Sequence, residues 1–441
     1  MRDYFYELSD FLTSNLTGNE VFTASFSGED SDFTRFNHAK VRQSGHVSQR
    51  YFSVDLIDGK RHAAGTATLT GEREEDQGRL TEMLVQLREL IPNLPEDPHL
   101  LINEEVRSTE QIGTNELPSS GEAVENILEA GEGHDLVGIF AAGEVTAGFA
   151  NSLGQRNWFT TSSYNFDYSI YHHADKAVKS AYAGFTWDRD ALGRKIATSA
   201  EQVAVVGQEA KTIDPGKYRV YLSPVALYDF VGMVGWGGYG LKSHRTKQTV
   251  LLRMIEDGAK LADGVTISEN TKDGVAPNFS DAGFVKPDVV TLIENGALKD
   301  TLVSPRSAKE YGVPTNGAGS WESPESLDIA AGDIPESEVL ARLDTGIWIN
   351  NVWYLNYSDR PNCRITGMTR FACLWVENGK VVAPLNVMRF DETIFRALGE
   401  KNLIGFTKER EMILDSGSYG GRATSSGRVP GALIEDFNFN L

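Results

Sequence analysis

Cysteine is nearly absent from this chain. Cys363 and Cys373 are the only two in 441 residues. Two thiols so close together make neither a disulfide framework nor a zinc knuckle, so they are expected as reduced, partly buried groups in a cytoplasmic protein. Histidine is also scarce, with eight residues. No pair is spaced H-x-x-x-H or H-E-x-x-H, the patterns that set two imidazoles on one helix face around a metal. His172, His173 and Asp175 lie close in sequence, but neighbours in an extended segment point to opposite faces. They are expected as a polar pair rather than a metal site.

Positive charge is in deficit. Lys and Arg number 42 against 62 Asp and Glu, a formal net charge of −20. A duplex-binding surface needs clustered cations to displace counterions. None is clustered here, so no nucleic-acid partner is expected. No charge-free run reaches the ~18 apolar residues of a membrane span. The opening MRDYFYELSDFLTSN has no basic n-region, so neither a span nor a signal peptide is expected. The phosphate loop G-x-x-x-x-G-K-[ST], the G-x-S-x-G elbow and internal repeats are also missing. No cofactor is therefore expected.

What remains is a long chain, 40% hydrophobic and 10% aromatic, too large for one core. Helical spacing of Tyr4, Leu8, Leu12 and Leu16 predicts a first helix. Leu80, Leu84, Leu87 and Ile91 predict a second, ended by Pro92. Alternation on either side of Asp58-Gly59 predicts a hairpin, and Asn295-Gly296 and Asn378-Gly379 predict two more. Residues 158–171 read as a strand and 174–186 as a helix. Residues 103–135 turn acidic and polar, and read as a solvated connector although 123–130 has helical character. Pro215-Gly216 is a boundary, dividing an N-terminal domain, 1–210, from a C-terminal domain, 215–441.

The chain is organised around residues 221–243, YLSPVALYDFVGMVGWGGYGLKS, whose only charge before Lys242 is Asp229. Ser223-Pro224 is a good helix entry, with Ser as N-cap and Pro in the first turn. A buried helix over 225–234 is expected, followed by a glycine-rich turn. GWGGYG, residues 235–240, has the spacing of the dinucleotide fingerprint, but that fingerprint precedes its helix and these glycines follow one.

This run resembles the segment that opens the C-terminal half of the TldD/PmbA proteins, described as modulators of DNA gyrase and as metallopeptidases. Four further stretches resemble the same family in the same order: Arg35, Phe36, Asn37, Val41 and Gln43; AGFANSLGQRNWF at 147–159; SPRSAKEYGVPTNGAGS at 304–320; and NCRITGMTRFACLWVENGKVVAP at 362–384. The resemblance implies an α+β fold. Its N-terminal domain would pack helices on antiparallel strands, and its C-terminal domain would be β-rich with mixed or antiparallel sheets.

In the TldD branch the central run carries HExxxH, and a later Cys completes a zinc site. Placed on that pattern, the two His positions fall on Gly232 and Gly237, the Glu position on Met233 and the Cys on Ser416. The chain thus resembles the PmbA (TldE) branch, and no catalytic or metal-binding residue is expected. Gly232 and Gly237 are expected as packing residues, where a larger side chain would overpack. The resemblance implies a non-catalytic subunit that pairs with an HExxxH-bearing TldD-like chain, or with itself as a homodimer. Its substrate would be unfolded polypeptides or peptide precursors. Two alternatives stay open. An independent hydrolase would need a cluster such as Asp415, Ser416 and His244. A non-enzymatic interaction protein, such as a gyrase modulator, would need no site.

Overall fold

The computed structural model of the protein describes residues 1–414 and 421–440. The α+β expectation holds, and each half of the chain builds one sheet. In the first half, helix α1 (Arg2–Ser14) leads into the long strands β1 (Val21–Asn37) and β2 (Lys40–Asp58), and then β3 (Arg61–Thr68). Gly59 turns β2 into β3 at φ +63°, a left-handed conformation that glycine adopts without steric cost. Helix α2 (Arg73–Leu90) follows, then β4 (Thr109–Ile112), α3 (Ser120–Ala130), β5 (Asp135–Asn151), β6 (Arg156–His173), β7 (Lys176–Gly184) and α4 (Arg189–Val206). The strand order is β3-β2-β1-β5-β6-β4, with β7 also on β6. Every pair is antiparallel except β4–β6.

Two expectations are corrected here. Residues 174–186 are not helical: β7 pairs with β6 from Lys176 to Gly184. The available β6 edge outweighs local periodicity, because strand formation is decided by the partner. The polar stretch 103–135 is not merely a solvated connector. Ser119 caps α3 by accepting from the Glu122 amide at 3.2 Å, and Ala123 and Ile127 of that helix are buried. Within the same stretch, β4 adds a parallel strand to β6.

The second half forms a mixed sheet from β8 (Gly216–Leu222), helices α5 (Pro224–Gly232) and α6 (Leu241–Arg245), and strands β9 (Ile267–Glu269), β10 (Val290–Glu294), β11 (Ala297–Leu298), β12 (Ser326–Ile329), β13 (Gly346–Asp359), β14 (Arg364–Glu377), β15 (Lys380–Pro384), β16 (Arg389–Thr393), β17 (Leu403–Leu414) and β18 (Ser426–Phe439). Its order is β11-β10-β9-β12-β18-β16-β14-β13-β8. A further antiparallel pairing of β18 with β8 closes β8, β13, β14, β16 and β18 into a ring. Helix α5 packs on this ring. Its Phe230 meets Phe437 and Phe390 edge-on, at 5.8 and 6.3 Å between ring centroids. Cys363 and Cys373 lie in the same core as free thiols, and burial pushes both up to about 12. Among the described residues no helix is long and apolar enough to cross a membrane.

Candidate functional site

Helix α5 begins as its sequence predicts. The Ser223 hydroxyl accepts from the Ala226 amide at 3.2 Å and donates to the Asn350 carbonyl at 2.6 Å, while Pro224 occupies the first turn. Ala226, Leu227, Phe230 and Val231 are buried in the core. Val225, Tyr228, Asp229 and Gly232, at i, i+3, i+4 and i+7, form the less buried face. Burial raises Asp229, the lone charge of the run, to about 6, although the nearby Lys179 opposes this.

The helix ends at Gly232, and Met233–Gly235 tighten into a 3₁₀ turn. The turn is pinned by side chains from remote parts of the chain. The Tyr357 hydroxyl donates to the Met233 carbonyl, and the Ser323 hydroxyl donates to that of Gly235 at 2.6 Å. Arg360, lying 5.0 Å over the Tyr357 ring, donates to the Trp236 carbonyl at 3.3 Å. His244 Nε2–H and the Thr249 hydroxyl both donate to the Gly238 carbonyl, at 2.6 and 2.9 Å. The Met233 and Gly235 carbonyls, which also accept the Trp236 and Gly237 amides, gain a second donor, while those of Trp236 and Gly238 are satisfied by side chains, and the turn is fixed. Burial pulls His244 below its usual pKa, which keeps the imidazole neutral with its proton on the nitrogen facing Gly238. His244 therefore holds the turn. Asp415 and Ser416, its partners in the hydrolase alternative, lie outside the described residues.

Three of the positions expected to match the HExxxH pattern, Gly232, Met233 and Gly237, are among the described residues. A Cβ at Gly232 would meet nothing within 4 Å, and one at Gly237 would meet only Arg360 Nη2, at 3.8 Å. The expectation of tight packing at these glycines is thus corrected. Gly232 borders open space, and Gly237 is required for its φ of +89°. The glycines that pack tightly are Gly238, where a Cβ would come within 2.3 Å of the Val234 carbonyl oxygen, and Gly240, where it would come within 2.8 Å of Glu322 Cβ. Met233, at the glutamate position, is buried in the core. Gly232 and Gly237 offer no donor, and a thioether in the core is no base, so these positions do not fit a zinc ion and its activated water. Among the described residues no group of three His, Cys, Asp or Glu side chains could hold a metal ion. His172 and His173 are the exposed last two residues of β6, with their rings 4.8 Å apart. The β6–β7 register shifts between Tyr171 and His173, and at this irregularity the two rings meet where a regular strand would separate them.

Several residues passed over in the sequence join the two sheets. Lys195 of α4 pairs with Glu411 of β17 at 2.8 Å, beside a cleft of about 480 Å³ that Tyr221 and Trp348 also line. Burial alone would lower Lys195, but the Glu411 carboxylate outweighs it and holds the ammonium above its usual pKa. Arg422 reaches the first sheet, donating to the Gly143 carbonyl at 3.0 Å and the Ser163 hydroxyl at 2.7 Å. Desolvation lowers it to about 10, although Glu29 lies near. Asn103 donates to Gln155 and to the Gly283 carbonyl, both at 2.9 Å. Gln155, from the 147–159 signature, thereby belongs to a buried docking point between the halves.

Fold and site together define an α+β protein whose buried helix α5 ends in a side-chain-pinned, donor-poor glycine turn. The family model for the C-terminal domain of the PmbA/TldA metallopeptidases matches residues 215–440, and the chain belongs to the TldD/PmbA family. No curated protein matches it in sequence. Among solved structures it is similar to TldE from Thermococcus kodakarensis, with a TM-score of 0.79, 14% identity and coverage of 99% of this chain and 100% of that one. It is also similar to two proteins described as candidate modulators of DNA gyrase. The one from Thermotoga maritima has a TM-score of 0.76 and 16% identity, covering 99% of each chain. The one from Bacteroides thetaiotaomicron has a TM-score of 0.73 and 15% identity, covering 99% of this chain and 98% of that one. At these identities the likeness is one of fold.

Proposed function

We propose that the chain is a TldE/PmbA-like, non-catalytic subunit. It pairs with an HExxxH-bearing, TldD-like chain, and the pair cleaves unfolded polypeptides or peptide precursors in the cytoplasm. The observation that carries this reading is the combination of family membership with Gly232, Met233 and Gly237 at the ligand and base positions. A helix end that cannot bind zinc, yet is pinned by Tyr357, Arg360 and His244, suits a scaffold better than a reaction centre. The reading takes residues 1–210 and 215–441 as two domains, and Ser416 as the replaced cysteine. A direct role on DNA, suggested by the names of two structural neighbours, fits a chain of net charge −20 less well.

The test is co-expression with a TldD-type chain from the same genome, followed by size exclusion and a casein assay. The pair is expected to co-elute and hydrolyse casein, while this chain alone does neither. Hydrolysis by this chain alone that survives a chelator would overturn the reading. Absence of a complex, with no effect on the partner's turnover, would leave the interaction-protein alternative in its place.

A further inference from the structure

The signature residues Arg35, Asn37 and Gln43 take no part in the glycine turn. They line a cavity of about 520 Å³ that Phe371 of β14 also borders. On the sheet face away from Phe22, Ala24 and Phe26, the register sets Gln43, Arg35, Ile139 and Asp167 in one row across β2, β1, β5 and β6. A smaller groove of about 270 Å³ continues from Arg35 and Gln43 past Phe33 and Val47.

Two ladders are broken beside this cavity. The β1–β2 register shifts between Arg35 and Phe36, which leaves Arg42 as the extra residue on β2, and Arg42 lines the cavity. The β13–β14 register shifts between Ile349 and Asn351, and Phe371, on the longer side, has a left-handed φ of +56°. A bulge re-aims a side chain, and a left-handed aromatic residue costs free energy that its surroundings must sustain. Both irregularities come from different sheets and serve the same space.

The charges around the cavity are unequal in their commitments. Lys179 is paired with Asp167 at 3.1 Å. The Arg370 guanidinium stacks over the rings of Trp353 and Phe371, at 4.6 and 5.3 Å. Arg35 and Arg42 make no ion pair among the described residues, in a chain with twenty more negative than positive charges. We propose that this cavity is a carboxylate-binding subsite for a bound polypeptide, taking an acidic side chain or the chain-terminal carboxylate. Planar guanidinium forks match a carboxylate in two-pronged geometry. The amides of Asn37 and Gln43 can serve the neighbouring peptide group, and Ile139 and Phe371 offer apolar walls to its stem.

The inference rests on the reading of this chain as one half of a peptide-handling pair, but its test needs no turnover. Three short fluorescein-labelled Gly-Ser-Ala peptides are titrated into the full chain, alone and mixed with its HExxxH partner, and read by anisotropy. One ends in a free carboxylate, one is amidated, and one is amidated with a single internal Glu. The free acid or the Glu peptide should bind about tenfold more tightly than the plain amide, the size of a charge-assisted hydrogen bond. Which of the two gains identifies the carboxylate's source. R35Q and R42Q should erase the preference while leaving the melting temperature unchanged. Equal binding of all three peptides, no binding of any, or a preference untouched by both substitutions would overturn the proposal. Failure to pair, seen by size exclusion, would instead count against the subunit reading alone.

Discussion

At the end of α5 the backbone is irregular because its residues permit it: Gly237 sits at φ +89°, and a side chain at Gly232 would meet only open space. Around Arg35 it is irregular despite its residues, with a bulge at Arg42 and a phenylalanine held at φ +56°. The first region subtracts side chains and fixes main-chain carbonyls, through Tyr357, Ser323, Arg360 and His244. The second spends strain to bring side chains together. Strain that persists in a fold marks a place where a particular side chain is needed, whereas glycine marks a place where none is tolerated or none is used. The difference locates recognition chemistry at the cavity and scaffolding at the turn.

Removing the scaffold under the turn should have the largest effect. Phe230 is fully buried against Phe390 and Phe437. Phe230→Ala should cost ~3–5 kcal/mol, the transfer term plus the cavity left behind. Urea unfolding checks this. A loss below about 1 kcal/mol would mean that the strand ring does not hold α5 in place.

Much of this framework was legible in the sequence, and what was legible is local. Asn295-Gly296 and Asn378-Gly379 turn their hairpins with both residues at positive φ, from +47° to +74°, as that pair of residue types demands. Ser223-Pro224 caps α5 where it was expected to. The order of short signatures along the chain was enough to reach the family. What was not legible depends on partners remote in sequence. Strand β7 exists because β6 offers an edge, and α3 is ordered because Ala123 and Ile127 find a core. The motif at Arg35 was visible, but its cavity was not. No spacing within that motif announces that Phe371 will close it. Gly232 and Gly237 read as packed because glycine clusters often are, yet the tight contacts belong to Gly238 and Gly240.

A smaller effect sharpens the electrostatic side of the contrast. Burial raises Asp229 from 3.8 to about 6. A carboxyl with a raised folded pKa stabilises the fold fully below its unfolded value. That contribution is lost as pH rises through the folded pKa, here between about 4 and 6. At pH 8 the buried charge then costs up to ~3 kcal/mol relative to pH 4. Asp229→Asn should remove the step and stabilise the protein at pH 8. The difference between the two melting-temperature profiles from pH 4 to pH 8 reads this directly. Parallel profiles would show that Asp229 is solvated.

The smallest effect tests the turn itself, because two glycines five residues apart should respond with opposite sign. Gly232 has helical angles, φ −55° and ψ −28°, and open space where a Cβ would stand. Gly232→Ala therefore adds no clash and reduces the freedom of the unfolded chain, a gain of ~0.4–1 kcal/mol. Gly237 has comparable room, with Arg360 Nη2 at 3.8 Å as its only close neighbour, but its φ of +89° disfavours any L-residue. Gly237→Ala should cost ~1–2 kcal/mol through backbone strain alone. Changing Gly237 onward to Leu should add little to that cost, since space is not what is limiting. The check is three melting temperatures against the parent chain. If Gly237→Leu were far worse than Gly237→Ala, overpacking would be the operative term, and the open geometry around the turn would be wrong.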